Sequence, residues 1–444
     1  MKRRDFLKKT GLAAAGTIMV PYILPSGRLF AATGNRSAGH VVLVMFAGGV
    51  RQQESVLQRY LEDSQIGEPY AGNIMYNMLT GQAPTMKIVY GTGAGGITPI
   101  PQLLGSTLQS QGTLFKEVTA LSAGHYGGLN SILQGSTVTT QGLKQKPVNP
   151  TIFEYLRRHG GYKATDVWFM GNSLVNSTAL LNYSVHEDYG AQYGANFFAP
   201  RVTFGPKGQT HLSDAKVYHP ELELAPVYQL KQFLDNSFEQ YGNTLESIGN
   251  TPEEKHQIKS FMKLMFEKTE TGTIAHPPIA DNGDLQTIGY TCEVMKYFKP
   301  ALTVVNLSAV DACHSNFTGY LGALHRADHA VGHLWDYIQN EIPEMAGNTV
   351  LLATPECGRN QMSNSILDSN NWRAYDHSDA NALRIFSLMA GPGIPQNHTV
   401  GSPTNPVALA SDSMLTVADI LGVKSEVVNA GMLAPGTLSL LDQL

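Results

Sequence analysis

Three short stretches of this 444-residue chain place acidic, imidazole and thiol side chains beside apolar runs. They are Ser308-Ala309-Val310-Asp311-Ala312-Cys313-His314-Ser315-Asn316, Pro355-Glu356-Cys357-Gly358-Arg359-Asn360 and Tyr375-Asp376-His377-Ser378-Asp379. Carboxylate together with imidazole is the ligand chemistry of zinc, manganese or iron, and a site needs three or four such groups. Asp311, His314, Glu356, Asp376 and His377 are therefore the candidate metal ligands; as ordinary loop residues they would be caps or salt-bridge partners instead. The Arg359 fork matches sulfate, phosphate or carboxylate, and it could equally close a structural ion pair with Glu356 or another acid. Cys357 reads more readily as a small buried apolar residue than as a ligand. His125 lies among Gly124, Tyr126, Gly127 and Gly128, a permissive loop that suits a reacting group or a plain loop histidine. His325, His329 and His333 align at i, i+4 and i+8 on a helix, but apolar residues alternate with them and favour a structural role. The hydroxyls of Ser136-Thr137-Val138-Thr139-Thr140 have no base nearby in sequence, which makes nucleophilic catalysis there weak.

The elements that must position these groups are short and apolar. Val41–Phe46 is a continuous apolar run followed by Ala47-Gly48-Gly49, and similar runs stand at 301–307, 349–354 and 385–390. Such runs read as strands buried on both faces, as in parallel sheets covered by helices. The Gly-Gly pair permits a sharp turn or close approach to a ligand. Between the runs at 301–307 and 349–354, Leu321, Leu324, Val331, Leu334, Trp335 and Ile338 recur at helical spacing. Strand, helix, strand in that order predicts a doubly wound α/β fold with a mostly parallel central sheet and helices on both faces. A further helix is expected from Thr151 to His159, capped by Thr151 or Asn149 with Pro150 at its start. Residues from about 185 to 284 are polar, rich in Tyr, Asn, Gln and Gly, and end in a charged helix around Glu253 to Lys268. They read as an insertion capping one end of the sheet. In open α/β sheets ligands bind beyond the carboxyl ends of the strands, which is where the three chemical stretches fall.

The order of these strand-end motifs resembles the alkaline phosphatase and sulfatase superfamily. Asp311 with His314 resembles its Asp-x-x-x-His element, Glu356-Cys357-Gly358 its Asp-His pair, and His377, upstream of Ala390-Gly391-Pro392-Gly393-Ile394, its last histidine. The phrase Ala327-Asp328-His329-Ala330-Val331-Gly332-His333-Leu334 is similar to the helix after the Asp/His element. Thr354-Pro355-Glu356-Cys357-Gly358-Arg359-Asn360 with Asp376-His377 resembles a bacterial exported branch of uncharacterised function carrying Thr-x-Glu-Phe-Gly-Arg and Asp-His. The resemblance runs from about Val41 to Ile394, leaving out the insertion. It implies a metal-dependent hydrolase of sulfate or phosphate esters, with a divalent cation such as zinc, calcium, magnesium or manganese. It also implies one metal position retained by Asp311, His314 and His377, and a second needing His125, Glu356 and Cys357 as substitutes. The departures are specific. Ala47 stands where the superfamily has its first metal-binding Asp, His125 falls at the nucleophile position, and His314 follows Asp311 by three residues rather than four. Covalent transfer through a hydroxyl cannot run in the usual way; attack by a metal-activated water can.

The N-terminus supplies an address. Met1-Lys2-Arg3-Arg4-Asp5-Phe6-Leu7-Lys8-Lys9 followed by the apolar run Leu12–Val20 has the layout of a twin-arginine signal, with processing near Leu29-Phe30-Ala31-Ala32. The run falls short of a spanning helix. Residues 1–33 are thus expected to be a signal read by the twin-arginine export machinery, and 34–444 a periplasmic or secreted α/β domain without a transmembrane segment. Charged residues make up 15% and the net charge is −5, which gives no basic footprint for nucleic acid. Three cysteines are too few for a disulfide scaffold. Two functions compete: an exported hydrolase acting on an anionic ester or polysaccharide, and a metal-free, non-catalytic descendant that binds a ligand or partner in the cell envelope.

Overall fold

Seven residues from His40 to Phe46 form the first strand of the main sheet, β1, and all but the first are buried. The reason lies in its side chains: Val42, Val44 and Phe46 enter one apolar core, and Val41, Leu43, Met45 and Ala47 enter another on the opposite face. A strand covered on both sides needs no polar alternation. The computed structural model describes residues 22–23, 29–30, 34–60, 70–84, 100–141, 145–171, 181–200, 248–279 and 283–444. The twin-arginine motif lies outside these residues.

The other main-sheet strands are β2 (Gly112–Thr119), β3 (Val167–Gly171), β4 (Asn196–Phe198), β5 (Leu302–Leu307), β6 (Thr349–Pro355), β7 (Arg384–Ala390), β8 (His398–Val400) and β9 (Ala408–Leu409). Among the described residues they form one nine-stranded sheet ordered β8-β2-β7-β6-β1-β5-β3-β4, with β9 also pairing to β2. Every pairing is parallel except those of β7 with β6 and β2. Helices α1 (His125–Gln134), α2 (Ile152–His159), α3 (Pro252–Thr271), α4 (Gly283–Phe298), α5 (Phe317–Glu341), α6 (Asp412–Ile420) and α7 (Lys424–Asn429) complete the layers. The first core takes side chains from α3, α4 and α5; the second takes them from α1, α2, α6 and α7. This is an open, doubly wound α/β architecture.

Two local expectations are refined. Thr151 caps α2 in a capping box with Glu154, so Asn149 is not the cap and Pro150 precedes it. Glu154 itself is fully buried and accepts hydrogen bonds from Thr151 and Ser184. Of the segment expected to cap one end of the sheet, the described parts are built into its far edge. Asn196–Phe198 is strand β4, and α3 lays Ile258, Phe261, Met262 and Met265 into the first core. The physical cause is aromatic: Phe261 meets Trp168, Phe198 and Phe298, joining α3 to β3, β4 and α4.

The histidines of α5 have structural partners. His325 Nδ1 pairs with the Ile74 carbonyl at 2.6 Å, His329 Nδ1 with Pro101 at 3.1 Å and His333 Nε2 with Ala275 at 3.0 Å. Between them the buried Asp328 accepts from the backbone N–H groups of Asn77 and Met78 and from the Asn77 amide. This face of α5 clasps three segments, at 74–78, at Pro101 and at Ala275. Among the described residues no helix is long and apolar enough to cross a membrane.

Candidate metal centre

Strand order brings the chemical residues together. β2, β6, β1 and β5 end at one sheet edge, and the antiparallel β7 begins there. His125 is the first residue of α1, which follows β2; Asp311 and His314 lie on the 3-10 turn Ala309–His314 after β5. Glu356 and Arg359 follow β6, and Asp376-His377 precede β7. The buried Asp284 of α4 holds the turn in place by accepting from Ser308 and Ala309 N–H, each at 2.9 Å.

The Gly48-Gly49 turn after β1 serves this arrangement through close backbone approach. Gly48 has φ +142°, and a Cβ there would stand 2.3 Å from the Asp311 nitrogen. It faces Asp311 and Glu356, so its closeness is to protein rather than to a ligand. On the other side, a Cβ on Gly128 would stand 2.3 Å from the Glu356 carbonyl oxygen, which is why α1 can seat His125 so near that carboxylate.

Glu356 is completely buried. Its Oε1 accepts from Gly48 N–H at 2.6 Å and pairs with His125 Nδ1 at 2.7 Å, while Oε2 lies 3.4 Å from Gly49 N. The Nδ1 of His125 is thereby committed, and its Nε2 stands 3.1 Å from Asp311 Oδ1 without an aligned hydrogen bond. Burial opposes a charge on His125, but its contacts with Asp311 and Glu356 outweigh that and raise its pKa to about 9. His314 repeats the pattern: Nδ1 pairs with Asp376 Oδ1 at 3.1 Å and Nε2 lies 3.5 Å from Asp311 Oδ1. His377 completes the group, its ring centroid 4.2 Å from that of His125 and 4.8 Å from that of His314. Burial, then the neighbouring His125, Arg359 and His314, hold the His377 pKa below its usual value.

Nitrogens of His125, His314 and His377 thus lie within 4.8 Å of one another. A second set, His125, Glu356 and Cys357, meets the same limit, with Sγ 3.7 Å from His125 Nδ1. Burial drives the Cys357 thiol pKa well up, and Glu356 already serves three donors. The histidine set is the better fit for a cation: His125 Nε2 and His377 Nδ1 are buried nitrogens lacking a hydrogen-bond partner. Two carboxylates also hold two of the rings by Nδ1, an arrangement common behind metal-ligating histidines.

Of the candidate ligands, Glu356 pairs with His125 Nδ1 and belongs to the second possible ligand set, and Asp376 pairs with His314 Nδ1. Arg359 was a candidate grip for an anion. Its side chain is 0% exposed, with donors spent on the Gly48 and Tyr375 carbonyls and on Asp311 Oδ1 at 2.8 Å. It clamps Asp311 against the Gly48 turn and has no face for substrate. Burial opposes the charge on Asp311, but His125 and Arg359 prevail and bring its pKa down to about 2. Ser136 and Thr140 lie beyond the far end of the ten-residue α1, about 15 Å along its axis from His125, and are engaged by Asn149 and Lys146.

Two supporting groups had no visible signal in the sequence. Asn364 donates to the His314 carbonyl at 3.1 Å. Asn381 donates to the Arg359 carbonyl at 2.7 Å. An isolated Asn in a loop looks like a turn former, and only the folded chain reveals its partner.

No protein-family model matches this chain, and no curated protein matches it. Solved structures do. An alkaline phosphatase, a variant of PafA, aligns with 86% of this chain and 96% of its own at 10% identity and TM-score 0.43. The PsFucS1 sulfatase from Pseudoalteromonas sp. aligns over 88% and 68% at 12% identity and TM-score 0.39. A protein in the alkaline phosphatase superfamily from Vibrio parahaemolyticus aligns over 88% and 69% at 11% identity and TM-score 0.37.

Proposed function

We propose that this chain is an exported hydrolase of phosphate or sulfate esters that works through a single transition-metal ion held by His125, His314 and His377, with Asp311 beside them. The observation that carries the reading is the meeting of three imidazoles, two of which also face Asp311 and are fixed at Nδ1 by Glu356 and Asp376. A nitrogen-rich set suits zinc and its first-row neighbours, whereas magnesium and calcium prefer oxygen. When bound, such a cation would polarise the ester and make water acidic enough to attack near neutral pH. The chain's own residues keep the negative charge in place. Asp311 remains ionised, Arg359 fixes its position against the Gly48 carbonyl, and the raised pKa of His125 records how strongly this spot attracts a positive charge. Residues 1–33 supply the export address in this reading.

Two observations favour the second reading, a non-catalytic descendant. Ala47 offers no ligand at the end of β1, and Arg359 is wholly occupied. Metal analysis of the purified protein separates the two. About one equivalent of zinc in wild type, lost in His314→Ala and His377→Ala, together with hydrolysis of 4-nitrophenyl phosphate or sulfate, supports the hydrolase. Metal-free wild-type protein that retains its fold overturns it.

A further inference from the structure

Arg51-Gln52-Gln53-Glu54 follows the Gly48-Gly49 turn, and none of these four long polar residues is more than 4% exposed. Such side chains are seldom buried unless each has a partner. Here the partners are the segments that carry the metal centre. The Gln52 amide donates to the Lys116 and Ile385 carbonyls at 3.0 and 2.8 Å, joining β2 to β7 where their register shifts. Gln53 Oε1 accepts from Asn381, the residue that also holds the Arg359 carbonyl. Arg51 and Glu54 form an ion pair, Nε to Oε2 at 3.1 Å, with neither side chain exposed. The Arg51 guanidinium lies 3.9 Å from the centre of the Tyr375 ring, and its Nη1 donates to the Gln361 carbonyl at 3.3 Å. Tyr320 of α5 completes the contact: its hydroxyl accepts from Arg51 N–H and donates to Glu54.

A buried ion pair adds little net stability over apolar side chains of the same volume. What it can add is order, by holding one geometry, and the group this pair holds is Tyr375, itself fully buried. The Tyr375 N–H donates to the Cys313 carbonyl at 2.9 Å, one residue before His314. Its carbonyl accepts from Arg359, the clamp on Asp311, and the next residues in the chain are Asp376 and His377. We propose that Arg51, acting through the Tyr375 ring, is a positioning residue of the metal centre. The ion pair with Glu54 fixes the guanidinium, the guanidinium fixes the ring, and the Tyr375 backbone sets His377 against His314 at the spacing a cation needs. The planar guanidinium suits this task because it covers the ring face while still donating to Gln361. This role rests on the reading that the three histidines hold a cation.

Zinc affinity of the purified protein, by competition with a chromophoric chelator, tests this alongside urea unfolding. In the double variant Arg51→Met with Glu54→Met no buried charge is stranded, so the unfolding midpoint should stay at the wild-type value or above. Zinc should nevertheless bind at least tenfold more weakly, as when a group behind a ligating residue is lost. Tyr375→Leu keeps the backbone bonds and the ion pair but loses the ring, and it should weaken zinc to a similar degree. Tyr375→Phe keeps the ring and should bind zinc as wild type does. A merely structural role would lower the unfolding midpoint and leave the zinc affinity of the folded protein unmoved, and that result would overturn the proposal. So would a loss in Tyr375→Phe as large as that in Tyr375→Leu. Should the double variant not fold, the two Tyr375 variants decide alone. Failure of the metal reading is seen separately, as wild-type protein that binds no zinc.

Discussion

Replacing Glu356 with Gln probes the device that aims His125. The fully buried carboxylate serves Gly48 N, Gly49 N and His125 Nδ1 at once; the amide keeps one acceptor oxygen and loses the charge. In metal-free protein, His125 has its pKa raised from 6.5 to about 9, against the opposing effect of burial. The sign follows from linkage: a raised histidine pKa stabilises the fold fully below pH 6.5, and that stability is lost as pH rises through 9. At 1.36 kcal/mol per pKa unit the swing is on the order of 3 kcal/mol, shared between Glu356 and Asp311. Chelator-treated wild type should therefore lose about 3 kcal/mol of unfolding free energy between pH 6 and pH 10 from this group, and Glu356→Gln about half of that or less. Zinc affinity should fall ~10- to 100-fold, as when a carboxylate behind a ligating histidine is removed. Urea unfolding across that pH range and competition with a chromophoric chelator measure both. A variant with wild-type zinc affinity and an unchanged pH slope would refute the view that Glu356 acts on the centre through His125.

Three further outcomes are expected. Gly48→Ala forces a methyl to within 2.3 Å of the Asp311 backbone at φ +142°, so soluble yield and zinc content should both drop sharply in expression trials. His329→Gln should leave zinc stoichiometry unchanged by elemental analysis, because His329 holds the Pro101 carbonyl rather than a cation. Asp328→Ala strands the donors of Asn77 and Met78, at about 1–3 kcal/mol for a buried donor left unsatisfied, and should lower stability in chemical denaturation. Burial raises the Asp328 carboxyl from 3.8 to about 7. Its contribution is therefore complete below pH 3.8 and fades as pH rises through 7, and Asp328→Asn should flatten that part of the stability profile.

The amino-acid order alone determined the layered fold and the composition of the functional rim. Runs such as Val41–Phe46 and Thr349–Thr354 read as strands covered on both faces, and the structure makes them β1 and β6; the helical apolar spacing around Leu321 to Ile338 became the long helix α5. These are local signals, and local periodicity survives without knowledge of the partner. Which nitrogen faces which oxygen is a different matter. His125 and Glu356 are 231 positions apart, and they meet because β7 runs against its neighbours and because β2, β6, β1 and β5 end at one edge. The same tertiary placement set Glu356 beside His125 and Asp376 beside His314, buried Arg359 against Gly48, and drew His125 into one group with His314 and His377. Residue type sets what a side chain can do; the packing of distant strands decides whether its polar atoms are spent on the protein or left over for something else.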